Sequence, residues 1–410
     1  MSSHAENMGV EGELQNCPIM PTYAAPSIMF IRGEGTELWD SEGKRYLDFV
    51  GGLAVQSLGH ANPEIAEVIG EQAGKLTQVS NYWATEHAHH VAIEIDKAVT
   101  GHINEPSYSP YNPTGQVFFC NSGAEANELA FKIARKATSK GRYTVLTATD
   151  SFHGRTLAAL AACGQPHKHE PFAPMPQGFT HIARGDIEAL NGAVDETTAA
   201  VHLEPILGEG GVWPHTSDYL SKAESLTREH GLLFMVDEVQ SGLCRTGEWF
   251  SFQHYGLNPD VVCIAKALGN GFPIGAVWVK RELAASFEAG DHGSTYGGNP
   301  LGTAVARKVL EIMKRDNYNL KAQLIEEQIR TSMSEVPQVI SIRGNGAMLA
   351  IELHQAISKE VAAEASIKGL LVNPITPTAL RLTPPLTTSP DQIQKGMQIL
   401  KGILNAQASS

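Results

Sequence analysis

The strongest constraint on the fold is an alternation that runs from Val117 to about Ala276, where short apolar runs take turns with amphipathic helical stretches. Such alternation predicts an α/β chain with a mostly parallel sheet and crossover helices. Within it, Gly231-Leu232-Leu233-Phe234-Met235-Val236 is apolar without polar interruption, as expected of a strand buried on both faces, and it ends in Asp237 and Glu238. Carboxylates at the carboxyl end of a strand face the crevice where open α/β sheets bind ligands. On an isolated strand they would more simply be loop acids capping the next element.

Two further strand ends add chemistry. Lys266 follows the apolar run Asp260-Val261-Val262-Cys263 and precedes Gly269-Asn270-Gly271, which puts an amine at a strand end. A lysine there can form an imine with an aldehyde cofactor when burial and cationic neighbours lower its pKa. Taken alone, it is a solvated surface charge. Paired with Asp237 it meets both demands of a pyridoxal ring, a lysine for the aldehyde and an acid for the ring nitrogen. At Phe118-Phe119-Cys120-Asn121-Ser122-Gly123 a third apolar run breaks, and Leu129, Ala130, Ile133, Ala134 and Ala137 then recur at helical spacing. That helix start offers free backbone N–H groups to a phosphate. A plain serine N-cap reads equally well, but the dinucleotide and P-loop glycine patterns are missing.

Composition narrows the class. At 410 residues, 42% of them hydrophobic, the chain exceeds one typical domain. The 31 basic against 44 acidic residues give a net charge of -13, which disfavours nucleic acid and anionic membranes as partners. Five cysteines, Cys17, Cys120, Cys163, Cys244 and Cys263, show no CxxC spacing and point to a reducing compartment. The sixteen histidines lack a matching Cys or carboxylate pattern, so no metal is expected. Met1 to Asn16 carries neither the apolar core of a signal peptide nor the arginines of a transit peptide, and no apolar stretch reaches the roughly 20 residues of a membrane helix. A cytoplasmic location is expected. Met29 to Phe49 reads as a small antiparallel hairpin, Gly101 to Gly115 as a surface loop, and the tail from about Val309 as mixed helices and strands such as Ala347 to Ile351.

Motifs in order along nearly the whole chain give it a resemblance to a known family. They include Gly33-Glu34-Gly35-Thr36 with Trp39-Asp40, Asn121-Ser122-Gly123-Ala124-Glu125-Ala126-Asn127, Phe152-His153-Gly154-Arg155-Thr156 and Glu204-Pro205-Ile206-Leu207-Gly208-Glu209-Gly210-Gly211. Asp237-Glu238-Val239-Gln240-Ser241-Gly242, Arg245-Thr246-Gly247, Ala265-Lys266-Ala267 and His292 to Pro300 complete the set. The chain resembles the fold type I pyridoxal-phosphate aminotransferases, in their class III (omega-amine) subgroup. Gly51 to His60, Ser80 to Glu86, and Leu371-Val372-Asn373 with Thr378 to Leu386 are most similar to acetylornithine aminotransferases, although Gln56 stands where that family usually has Asn and Trp83 where it usually has Phe or Tyr. Leu53 occupies the place of a Tyr in ornithine aminotransferases.

The resemblance implies a large domain, residues 71–308, with a seven-stranded mostly parallel sheet, and a smaller α+β domain built from 1–70 and 309–410. It makes Lys266 the lysine that binds pyridoxal phosphate and moves the proton, with Asp237 on the ring nitrogen, Phe152 on one ring face, and Val239 and Gln240 at the other face and the phenolic oxygen. Ser122, Gly123 and Ala124 would hold the phosphate. Thr295, with Ser294 beside it, would reach the site from a neighbouring subunit, so a homodimer with shared sites is implied. Arg381 would clamp the α-carboxylate of 2-oxoglutarate and Arg155 the distal or donor carboxylate, with Glu204 neutralising Arg381 while the omega-amine is bound. The implied reaction moves the δ-amino group of N2-acetylornithine to 2-oxoglutarate, a step of arginine biosynthesis. Alternatives on the same residues are 4-aminobutyrate, ornithine or succinylornithine as donor; a catalytically silent scaffold of this fold is the non-enzyme alternative.

Overall fold

In the computed structural model, residues 18–24, 26–105 and 108–407 are described. The leader expectation for Met1 to Asn16, and Cys17, lie outside them. The alternation over 117–276 folds into one seven-stranded sheet in the order Gly115–Cys120, Gly275–Lys280, Val261–Ile264, Leu233–Asp237, Thr198–Leu203, Thr144–Ala148, Phe179–Ile182. Gly275–Lys280 runs antiparallel to both its neighbours, and the other pairs are parallel. Two antiparallel steps cancel, so Gly115–Cys120 points the same way as the five strands beyond Gly275–Lys280.

The apolar run that ends at Asp237 is buried over its whole length because helices cover both faces of the sheet. Phe234, Val236, Val201, Val262 and Ile264 are each fully buried. At about 1.5–3 kcal/mol for each such side chain, this central ladder is the rigid frame of the molecule. The helix Gly123–Lys136 buries Leu129, Ala130, Ile133 and Ala134 against it and leaves Lys132, Arg135 and Lys136 exposed, the face expected from the spacing.

The chain ends meet in other sheets. The expected hairpin is a meander of Phe30–Glu34, Glu37–Asp40 and Arg45–Asp48, extended by Leu370–Leu371, which pairs parallel with Arg45–Asp48. An antiparallel sheet in the order Val339–Asn345, Met348–Leu353, Ala379–Leu382, Asn373–Thr376 carries Arg381 on its third strand. The boundaries expected after residues 70 and 308 both fall inside helices, Pro63–Ala73 and Pro300–Arg315. In the 101–115 segment the Tyr108 hydroxyl donates to the Asp96 carboxylate, while Tyr111 is exposed. Cys120, Cys163, Cys244 and Cys263 are buried and free. Among the described residues, no helix is long and apolar enough to cross a membrane.

Candidate active site

Parallel order brings three chemically different strand ends to one edge of the sheet. Leu233–Asp237 lies between Val261–Ile264 and Thr198–Leu203, so Asp237, Lys266 and Glu204 emerge side by side. Together with Ser122, Gly123, Ala124, Phe152, Arg155, Glu209, Val239 and Gln240 they line a cavity of about 390 Å³. Ten of the expected residues thus share one cavity, three from the helix start, three from the strands just named, and four from the loops between.

Lys266 sits in the short turn after its strand with φ 45°, a left-handed conformation that a non-glycine residue adopts only when its surroundings impose it. Burial pushes its amine down to about 8, against the pull of Glu209 and with the Arg381 charge adding to the drop. About a tenth of the amine is therefore neutral at pH 7, far more than for an exposed lysine, and a nucleophile or proton carrier requires that form.

Asp237 is held from three sides. Its Oδ2 accepts from His153 Nδ1 at 2.9 Å and Asn127 Nδ2 at 2.8 Å, and its Oδ1 from the Val239 N–H at 3.0 Å. Burial alone would raise its pKa. Burial is outweighed by the bond from His153 and that ring's charge, with the Val239 N–H, which together keep the group below the usual carboxylate range. A buried anion beside a ligand cavity is suited to a cationic ring nitrogen. Sequence reasoning gives neither His153 nor Asn127 a role, although both lie within the motifs that carry the family resemblance.

At the helix start, Ser122 Oγ accepts the Glu125 N–H at 3.2 Å, and the Glu125 carboxylate returns to Asn121 through its N–H at 2.7 Å and its Nδ2 at 2.8 Å. This reciprocal cap leaves the N–H groups of Gly123 and Ala124 to face the cavity. A Cβ on Gly123 would lie 2.8 Å from Val239 Cγ1, so only glycine lets the strand and the helix start close this tightly.

One expectation needs correcting. Glu204 was expected to neutralise Arg381, but Arg381 Nη1 donates to Glu209 Oε1 at 2.6 Å and to Gln240 Oε1 at 3.2 Å, and its Nε to Asn373 Oδ1 at 3.2 Å. Glu204 instead accepts the N–H groups of Phe152 at 2.8 Å and Gly208 at 3.0 Å, and burial pushes its pKa up. The physical reason is the turn after Glu204, which folds its carboxylate back onto backbone donors and carries Glu209 out to the arginine. Burial would raise Glu209 as well, but the Arg381 charge and hydrogen bond, with Lys266 and Lys168, hold it ionised. Arg155 lies with Cζ 5.3 Å from the Phe152 ring centre and, among the described residues, in no ion pair. Ser294 and Thr295 are not brought to this cavity: they line a separate one, where Ser294 Oγ accepts from Asn121 Nδ2 at 3.2 Å and the Thr295 carbonyl accepts from Gln78.

Beside the site, Glu238 is buried, accepts from Ser241 Oγ at 2.6 Å and the Phe252 N–H at 2.8 Å, and is pushed up to about 7 by burial. A folded-state value above the ordinary 4.5 means that the folded protein holds a proton which the unfolded chain has already lost between those two pH values. Stability from this group is therefore present below pH 4.5 and lost as pH rises to about 7, by about 3 kcal/mol at most. Glu238→Gln should flatten that slope in urea midpoints measured between pH 4.5 and 8; an unchanged slope would place the titration elsewhere.

Comparison with known proteins agrees with this geometry. Residues 20–404 match the family model for aminotransferase class-III. An acetylornithine aminotransferase of Caldanaerobacter subterraneus is 43% identical over 94% of this chain and 97% of its own, and one of Corynebacterium efficiens 41% over 96% and 97%. Among solved structures, the ornithine aminotransferase of Toxoplasma gondii, a structure described as having partial occupancy of PLP at its active site, superposes with a TM-score of 0.87 at 30% identity, covering 96% of this chain and 93% of that one. The N-acetylornithine aminotransferase of Stenotrophomonas maltophilia gives a TM-score of 0.79 at 32% identity over 93% and 97%. With a family model spanning nearly the whole chain and relatives above 40% identity, this protein belongs to the class-III aminotransferase family.

Proposed function

We propose that the chain is a pyridoxal-phosphate-dependent aminotransferase that moves the δ-amino group of N2-acetylornithine to 2-oxoglutarate, giving N-acetylglutamate 5-semialdehyde and glutamate, in arginine biosynthesis. The observation that carries this reading is the buried Lys266 amine, lowered to about 8, sharing one cavity with the ionised Asp237 and a helix start whose N–H groups are free. Three donor-specific stretches, Gly51 to His60, Ser80 to Glu86, and Leu371 to Asn373 with Thr378 to Leu386, support the choice of donor, as do the names of the relatives.

The residues present fit pyridoxal phosphate. Lys266 would hold its aldehyde carbon, Asp237 its ring nitrogen, Phe152 and Val239 its two faces, Gln240 its phenolic oxygen, and Ser122, Gly123 and Ala124 its phosphate. When bound, the cofactor supplies an electron sink that lets a C–H bond next to the transferred nitrogen ionise. Lys266 Nζ would be the base that takes that proton and gives it back on the other side of the transferred nitrogen, a role suited to an amine whose pKa lies near neutrality. Asp237 keeps its charge throughout. Arg155 receives a substrate carboxylate, and the Arg381–Glu209 pair handles the difference between substrates: closed, it presents no net charge to the neutral carbons of the ω-amine, and opened, it frees a guanidinium for the α-carboxylate of 2-oxoglutarate.

The active unit in this reading is a homodimer in which Thr295 and Ser294 serve the partner's site. Exposed aromatics support it: Tyr82, which lines the second cavity, and Trp83 and Tyr296, each adjacent in sequence to a residue that does.

Mixing the protein with one donor at a time, without oxo acid, tests the assignment through loss of the cofactor's visible band. Acetylornithine should convert it at least about 10-fold faster than ornithine or 4-aminobutyrate, a difference of about 1.4 kcal/mol in transition-state binding. Preference for 4-aminobutyrate would move the donor and leave the Lys266 chemistry in place.

A further inference from the structure

We propose that Asn127, braced by His202, positions the Asp237 carboxylate so that Oδ1 is the oxygen turned to a ligand in the cavity. The inference rests on the reading that a pyridine ring nitrogen is that ligand. Asn127 is buried on the face of its helix that meets the sheet, and its Nδ2 lies 2.8 Å from Asp237 Oδ2, 2.8 Å from the His153 carbonyl and 3.0 Å from the Gly123 carbonyl. Three acceptors converge on this atom, which identifies it as the amide nitrogen.

The amide oxygen must then face the other way, and it meets His202 Nε2 at 2.7 Å. An amide oxygen only accepts, so the His202 proton resides on Nε2 and Nδ1 is bare. His202 Nδ1 is buried and, among the described residues, has no hydrogen-bond partner, as a nitrogen without a proton allows. Burial lowers His202 to about 3, so the ring stays neutral and this tautomer persists over the working pH range. His202 stands opposite Met235 on the neighbouring strand, two residues before Asp237, so the sheet register itself sets the brace beneath the carboxylate.

Oδ2 spends both lone pairs on His153 Nδ1 and Asn127 Nδ2, whereas Oδ1 spends one on the Val239 N–H and keeps one. The terminal torsion of an aspartate is broad, so without Asn127 the group would pivot and offer either oxygen. Asn127 and His202 therefore act through Asp237, as positioning residues and not as groups that touch the reacting atoms.

The test compares binding of pyridoxal phosphate with binding of its 1-deaza analogue, which has carbon in place of the ring nitrogen, followed by quenching of intrinsic fluorescence in cofactor-depleted protein. Asn127→Leu and His202→Phe should each weaken pyridoxal phosphate by about 10-fold or more, the effect of losing one hydrogen bond to a charged group. His202→Gln, which keeps an N–H donor, should stay within about 3-fold of the unaltered protein, and none of the three should change analogue binding beyond that. Equal losses on both ligands would reduce the pair to general packing and overturn the proposal, as would a glutamine variant no better than phenylalanine. Should Asn127→Leu fail to fold, the two His202 variants carry the comparison. If the unaltered protein binds both ligands equally tightly, the Asp237 reading itself falls; if it binds neither, the cofactor assignment falls.

Discussion

Lys266→Ala protein should keep its fold and lose transamination by about 10,000-fold or more, the upper end of what a positioned acid–base group contributes, because no other described side chain offers a neutral amine in the cavity. It should also lose the visible band that the lysine–cofactor linkage confers. Truncation removes a buried amine that is largely cationic at neutral pH from a position with φ 45°, so stability should not fall; a melting temperature at or above that of the unaltered protein is the control. Turnover that survives in this variant would remove the central assignment. The pH dependence gives a second reading of the same group: capture of the cofactor by depleted protein should rise through about pH 8, where the buried amine loses its proton, and a rise centred near 10.5 would mean that the amine behaves as if exposed.

Breaking the Arg381–Glu209 pair should affect the two half-reactions unequally. Glu209→Gln keeps an acceptor oxygen but removes the carboxylate charge paired with a fully buried guanidinium, whose other side-chain partners, Gln240 and Asn373, are neutral, so the cavity presents an uncompensated charge to the neutral part of the ω-amino donor. Removing one partner of a buried pair costs about 3–5 kcal/mol, so the donor half-reaction should slow by about 100-fold or more while the 2-oxoglutarate half-reaction is retained. Arg381→Ala should show the reverse selectivity. Glu204→Gln is the informative control: its carboxylate is tied to the Phe152 and Gly208 N–H groups, so its effect should fall on both half-reactions alike. Single-turnover rates for each half-reaction separate these outcomes, and a donor-specific loss in Glu204→Gln with none in Glu209→Gln would restore the original pairing.

Much of the architecture is legible in local pattern. An apolar run with no polar interruption, such as Leu233 to Val236, has no low-energy placement except between two covering layers, and the 3.6-residue spacing from Leu129 to Ala137 has none except a one-sided helix. The strand ends that carry Asp237, Lys266 and Ser122 follow from those runs, because the side chains that interrupt an apolar strand are the ones that leave the core. The position of Glu204 just after Thr198–Leu203 was legible for the same reason.

The choice between Glu204 and Glu209 was not. Both acids lie on one glycine-containing turn, and which of them reaches Arg381 depends on how that turn folds and on a strand more than 170 residues away, information that no window of sequence contains. The same holds for His202 and Asn127. Each is unremarkable in its own segment, a histidine in a buried strand and an asparagine in a helix, and their roles arise only because the parallel register sets His202 beside the strand of Asp237 under the helix that bears Asn127. The sequence by itself determined which residue types stand at the ends of the strands, since periodicity and burial are local properties of the chain. Tertiary structure alone decided the pairings among those residues, since hydrogen bonds and ion pairs between distant segments depend on register and turn geometry, to within a few tenths of an ångström.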